Sequence, residues 1–157
     1  MWKEFSMKSV KIALVGVGLT SGLAGATIAA ASPMAVTATY AVNANGHSVV
    51  GMKGTTMMDV SATGRFTISS KANDVCYIIE AHKLGMVTSA TINLGLKGNI
   101  GMTEVTLNAH DISAGMMHFP CINVTHMLAA AILKHPTNYY FQIANVKYPH
   151  GVVRGQL

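Results

Sequence analysis

At 157 residues the chain has room for one ordinary domain and little more. Half of its residues are hydrophobic and only 11% are charged, against about 25% in an average chain, so core material is ample and the surface must be built from Ser, Thr, Asn, Gly and His. The formal charge of +5 falls to +3 once Lys3, Lys8, Lys11 and Glu4 are set aside; no Lys/Arg cluster remains, which excludes a nucleic-acid footprint.

Those four residues belong to the leader. Lys3, Lys8 and Lys11 precede an uncharged run over 12–31 that ends in Ala29-Ala30-Ala31-Ser32-Pro33. A basic start, an apolar middle and an Ala-x-Ala site describe a secretory signal peptide. Residues 1–31 are read as that peptide, with cleavage after Ala31, and residues 32–157 as the domain. A retained anchor is the alternative, because the run approaches the ~20 residues needed to span a bilayer. Its Gly, Ser and Thr content argues against that, so no stable membrane span is expected after cleavage. The protein is read as secreted or periplasmic.

Residues 35–42 are rich in β-branched side chains and read as the first strand. Asn45-Gly46 is a hairpin signal, which makes 47–52 a second strand. Residues 64–69 alternate Phe66 and Ile68 with polar neighbours, a one-sided strand. Residues 74–82 are nearly continuous in apolar character and read as a central strand. Residues 87–94 and 102–109 are two more, separated by a Gly-rich turn over 95–101. Residues 125–134 break the pattern: good helix formers place Met127 or Leu128, Ala131 and Ile132 at helical spacing. Asn123 or Thr125 caps that helix and Pro136 ends it. Tyr139 opens a strand running to Val146. Tyr148-Pro149-His150-Gly151 is a turn, since Pro149 cannot donate and Gly151 can take a positive φ, and 152–156 form the closing strand. Seven or eight short strands with turns between them imply a β-sandwich.

Cys76 falls in the central strand and Cys121 just before the helix. In an exported chain two cysteines read as a disulfide. The bridge would close a loop of about 45 residues, worth ~3–4 kcal/mol in the chain-entropy model. A copper loop using Cys121, His126 and Met127 is the competing reading. Such a site needs a spacer between its His and Met and a second distant His, whereas here His126 and Met127 are adjacent.

The ending Tyr139-Tyr140, then Pro149-x-Gly151-x-Val153-Arg154-Gly155-Gln156-Leu157, resembles the close of a CHRD domain, the module named after chordin. Val75-Cys76-Tyr77-x-Ile79-Glu80 resembles that family's Cys-Tyr strand, and 128–133 its helix. The resemblance covers about residues 64–157. It implies an extracytoplasmic, immunoglobulin-like antiparallel β-sandwich with one short helix, without established catalysis and with a binding or structural role toward an unknown protein or envelope partner. Tyr139, Tyr140, Pro149, Gly151, Arg154, Gly155 and Gln156 are its structural motif residues. Family members often carry a His-Ile-His strand and a later His-Thr, three histidines suited to a metal. Here those motifs fall on Thr91-Ile92-Asn93 and Ala144-Asn145, and the usual acidic residue before Ile-Arg-Gly is Val152. No imidazole remains at the three positions, so the resemblance carries no metal site to this chain.

Other chemistry is sparse. Nine of the 11 methionines lie beyond the leader, and thioethers suit Cu(I). The densest clusters are Met57-Met58-Asp59 and Met116-Met117-His118. Copper binding at Met116, Met117 and His118 is the alternative function; the bland reading is that Met fills gaps and faces partners. No nucleophile elbow, zinc-protease or phosphate-loop motif occurs. Asp59, Asp74, Glu80, Glu104 and Asp111 are scattered, and His110 and Asp111, as strand neighbours, would point to opposite faces. The uncharged strand over 35–42 is a candidate edge for homo-oligomers. The reading is therefore an exported, non-enzymatic β-sandwich with one disulfide and no resident cofactor.

Overall fold

A computed structural model describes residues 36–51, 59–113 and 119–157. The leader, Met57, Met58, Met116, Met117 and His118 lie outside these residues. The strands are β1 (Thr37–Asn45), β2 (Ser61–Ser69), β3 (Asp74–His82), β4 (Val87–Leu94), β5 (Met102–Leu107), β6 (Cys121–Asn123), β7 (Tyr139–Asn145) and β8 (Val153–Gln156). Two helices, α1 (Ala109–Ser113) and α2 (His126–Lys134), are inserted between β5 and β7. All strand pairs are antiparallel, as an all-β chain of short alternating segments should give.

The strands form one sheet in the order β5-β4-β7-β8-β1-β2-β3-β6. Its halves meet at a narrow seam, where β1 and β8 pair at Asn45 and Arg154. Gly155 makes that approach possible: a Cβ there would stand 2.5 Å from Val42 Cγ1 and 2.7 Å from the Asn43 carbonyl oxygen. The sheet curls strongly. Phe66 on β2 and Phe141 on β7 are three strands apart, about 14 Å in a flat sheet, yet their ring centroids are 5.0 Å apart. These two rings, with Ile68, Val75, Tyr77, Ile92, Ile143 and Val153, form the enclosed core.

Local chemistry explains where the elements depart from expectation. The hairpin expected at Asn45-Gly46 is absent. The Asn45 side chain accepts from the Ser48 backbone N–H and hydroxyl, both at 3.0 Å, and so caps a short 3-10 turn, Gly46–Ser48. Residues 49–51 are consequently not a strand. The first strand starts at Thr37 and runs to Asn45. Each of its nine residues pairs with β2, while on its other side it pairs with β8 at Asn45 alone; the outermost strands of the sheet order are β5 and β6. The strand expected to reach residue 109 stops at Leu107. There Asn108 Oδ1 accepts the His110 N–H at 3.1 Å and α1 begins. His110 and Asp111 are thus helical neighbours, 3.8 Å apart, rather than on opposite faces of a strand.

Helix α2 matches its sequence signals. Thr125 Oγ1 accepts the Leu128 N–H at 3.1 Å. Ala129 and Ile132 are buried and Leu128 is partly so, while Met127 is 82% exposed. Thr125→Ala is expected to cost about 1 kcal/mol, the usual value of such a cap, read from urea unfolding.

Cys76 and Cys121 form the expected disulfide. They are directly opposite in the β3–β6 pair, so the bridge fastens the three-residue edge strand and, through it, the start of α2.

Candidate functional site

After an irregularity in the register between Val87 and Ser89, strands β4 and β7 alternate. Ala90 and Ile92, and Phe141 and Ile143, point into the core. The opposite parity places Ser89, Thr91 and Asn93 beside Tyr140, Gln142 and Ala144 on the other face, because β4 and β7 pair in register over these residues. Arg154 joins them from β8, paired with Gln142.

Two loops stand over this face. The 95–101 loop is held by the closing strand. Arg154 donates to the Asn99 carbonyl at 2.7 Å and the Leu96 carbonyl at 3.0 Å. Its guanidinium lies 3.4 Å from the Tyr140 ring centroid, and the Tyr140 hydroxyl accepts the Gly101 N–H at 3.1 Å. The Gln156 amide N–H groups are shared among the carbonyls of Gly95, Thr137 and Tyr139, at 3.0, 2.7 and 2.8 Å. Arg154 is only 2% exposed. Burial pushes its guanidinium pKa down, and the neighbouring Tyr140 offsets part of that fall. The second loop is the Tyr148–Gly151 turn. The Gly151 N–H donates to the Tyr148 carbonyl at 3.1 Å, the Gln142 amide donates to the His150 carbonyl at 3.0 Å, and Gly151 sits at φ +125°.

Between the loops lies a cavity of about 780 Å³, within the range of about 300–1,000 Å³ usual for small-molecule sites. Its floor is Ser89, Thr91, Asn93, Gln142 and Ala144. Part of the floor is fixed in advance. The Asn93 amide donates to Thr91 Oγ1 at 2.8 Å, and Thr103 Oγ1 donates to Asn93 Oδ1 at 2.7 Å. Lys147, Tyr148, Pro149 and His150 form one wall.

The motif residues therefore divide. Tyr139 is in the core and Gly155 is at the seam. Gln156 braces the 95–101 loop, whereas Tyr140, Pro149, Gly151 and Arg154 line the cavity. Thr91, Asn93 and Ala144, the positions where the resemblance has histidine, also converge on it. Their donor set here is one hydroxyl, one amide and one methyl, which does not fit a transition metal. Among the described residues, one group of potential metal ligands, Asp74, Cys76 and Cys121, is close enough to share an ion. Both of its sulfurs are consumed by the disulfide. The copper candidates Met116, Met117 and His118 lie outside the described residues.

The family model of the CHRD domain matches residues 14–157. The chain belongs to the CHRD family. The match extends well to the N-terminal side of the resemblance read from residues 64–157. No curated protein matches the chain, and no solved structure does. Membership in the CHRD family supports a non-catalytic binding or structural domain of the extracellular kind. The disulfide is consistent with that setting. No described helix is long and apolar enough to cross a membrane.

The sequence reading missed most of the cavity. Ser89, Thr103, Gln142, Lys147, Tyr148 and His150 carry no motif. The signal that was available is parity. On two strands whose inward positions are large and apolar, the outward ones are small, polar or aromatic without charge, which suits a lined recess better than an open face.

One titration follows from tyrosines on β1 and β7. Tyr139 and Tyr40 have pKa values raised above their ordinary 10.0 by burial, with Glu104 adding to the rise at Tyr139. The unfolded chain then releases these protons first. Their contribution is intact below pH 10.0 and is lost as pH rises through the higher folded values. Melting temperature should fall from about pH 10 upward, and more shallowly in Tyr139→Phe.

Proposed function

We propose that this chain is an exported, non-enzymatic CHRD domain with a binding or structural role in the cell envelope or extracellular space, and that its working surface is the cavity on β4, β7 and β8. The observation that carries this reading is the construction of the cavity. Its floor stands on paired strands, its two loops are clamped by Arg154, Gln156 and Gln142, and its lining is polar and aromatic. A rigid frame around adaptable polar groups is what recognition requires.

Export is tested by intact mass of the protein from its native cell. A mass matching residues 32–157 less two hydrogens supports it; a mass that retains residues 1–31 counts against it. The working surface is tested with Ser89→Trp. Ser89 is exposed on the cavity floor, so the indole fills the recess without entering the core. The wild type should co-sediment with isolated envelopes, and the folded variant should not. Equal retention of both would remove the cavity from the proposal.

A further inference from the structure

We propose that the cavity takes a carboxylate-bearing saccharide, a uronic-acid type of ligand; this deepens the reading of the cavity as the working surface and rests on it. The first ground is charge. Lys147, Arg154 and the His150 imidazole line the cavity, and no described lining residue is acidic. The internal stretches 52–58 and 114–118 contain no Asp or Glu either.

The second ground is the state of Arg154. It is 98% buried, and its partners are two backbone carbonyls and an aromatic ring. Among the described residues no carboxylate pairs with it. A buried cation without a counter-ion is costly, and an anion entering the adjoining cavity lowers that cost.

The third ground is the floor. A simple inorganic anion would use the cations and leave unused the Ser89 hydroxyl and the capacity that remains to Thr91 and Gln142 beyond their bonds to Asn93 and His150. A sugar ring presents hydroxyls that both donate and accept, which is what serine, threonine and carboxamide side chains exchange with. Tyr148 adds a ring at the wall, with Lys147 Nζ 5.3 Å from its centroid. An aromatic ring beside a cation offers an apolar face for a sugar ring and a charge for its carboxylate.

The test is an NMR titration of the folded, disulfide-intact domain with digalacturonic acid and, separately, with its neutral dimethyl ester. The acid should shift the backbone amides of β4, β7 and the Tyr148–Gly151 turn, and the ester should bind at least tenfold more weakly. Lys147→Gln with His150→Gln, both exposed and so harmless to the core, should weaken the acid at least tenfold. Equal binding of acid and ester overturns the anionic assignment while leaving the cavity as a site. Binding of the acid undiminished by Ser89→Trp overturns both readings. No binding of either probe overturns the saccharide inference, and the envelope retention of Ser89→Trp then decides separately whether the cavity reading stands.

Discussion

Arg154→Ala should lower the unfolding free energy by about 3 kcal/mol. The side chain ties the 95–101 loop to β8 through the Asn99 and Leu96 carbonyls and covers the Tyr140 ring. Losing hydrogen bonds made by a charged donor costs about 1.5–3 kcal/mol each, and the cation–ring contact adds about 1–2 kcal/mol. Two effects act the other way. A buried guanidinium without a counter-ion carries its own desolvation cost, and the freed carbonyls border a cavity where water can reach them. The net loss is therefore well below the sum. Arg154→Lys keeps the charge but not the planar fork, so it should recover less than half of the loss. Urea unfolding at unchanged slope is the measurement. Stability within 0.5 kcal/mol of wild type, roughly the scatter of ordinary surface substitutions, would show that the loop does not depend on this residue.

Removing the bridge by Cys76→Ala with Cys121→Ala should cost about 4 kcal/mol in the chain-entropy model, given the separation of 45 residues. The mechanism acts on the unfolded chain, whose freedom the bridge restricts. A native-state effect adds to it. β6 is a three-residue strand that, among the described residues, pairs with β3 alone, so without the bridge it holds the start of α2 weakly. The melting temperature should drop by roughly 10–20 °C, and reductant should reproduce the drop in wild type while leaving the double variant unchanged. A reductant-insensitive wild type would contradict the assignment.

Legibility followed element length and locality. β3 and β4 were expected at their observed bounds, because each is eight or nine residues of strand-forming sequence between clear turns. The turn before β8 was legible from Pro149 and Gly151, and α2 from Thr125 and Pro136. The five-residue α1 and the three-residue β6 were not, since neither is long enough to repeat its pattern through two periods. Asn45-Gly46 misled because the asparagine side chain caps a local turn instead of closing a hairpin. The cavity was out of reach for a different reason. It exists because residues 89–93, 140–144 and 154 are adjacent in the sheet order, and periodicity within a strand says nothing about which strands become neighbours. The disulfide pairing needed no such knowledge, since two cysteines allow one bridge.

The seam at Asn45 and Arg154 also sets an order of events. Pairs such as β2–β3 and β4–β5 join neighbours in sequence and can form early. The β1–β8 junction spans almost the whole domain, and it pays the loop-closure entropy of a contact over that length. During synthesis the first three strands emerge with no means of completing the sheet, because the strand that unites the halves is made after all the others. Folding is therefore held back until the last of the described strands is available.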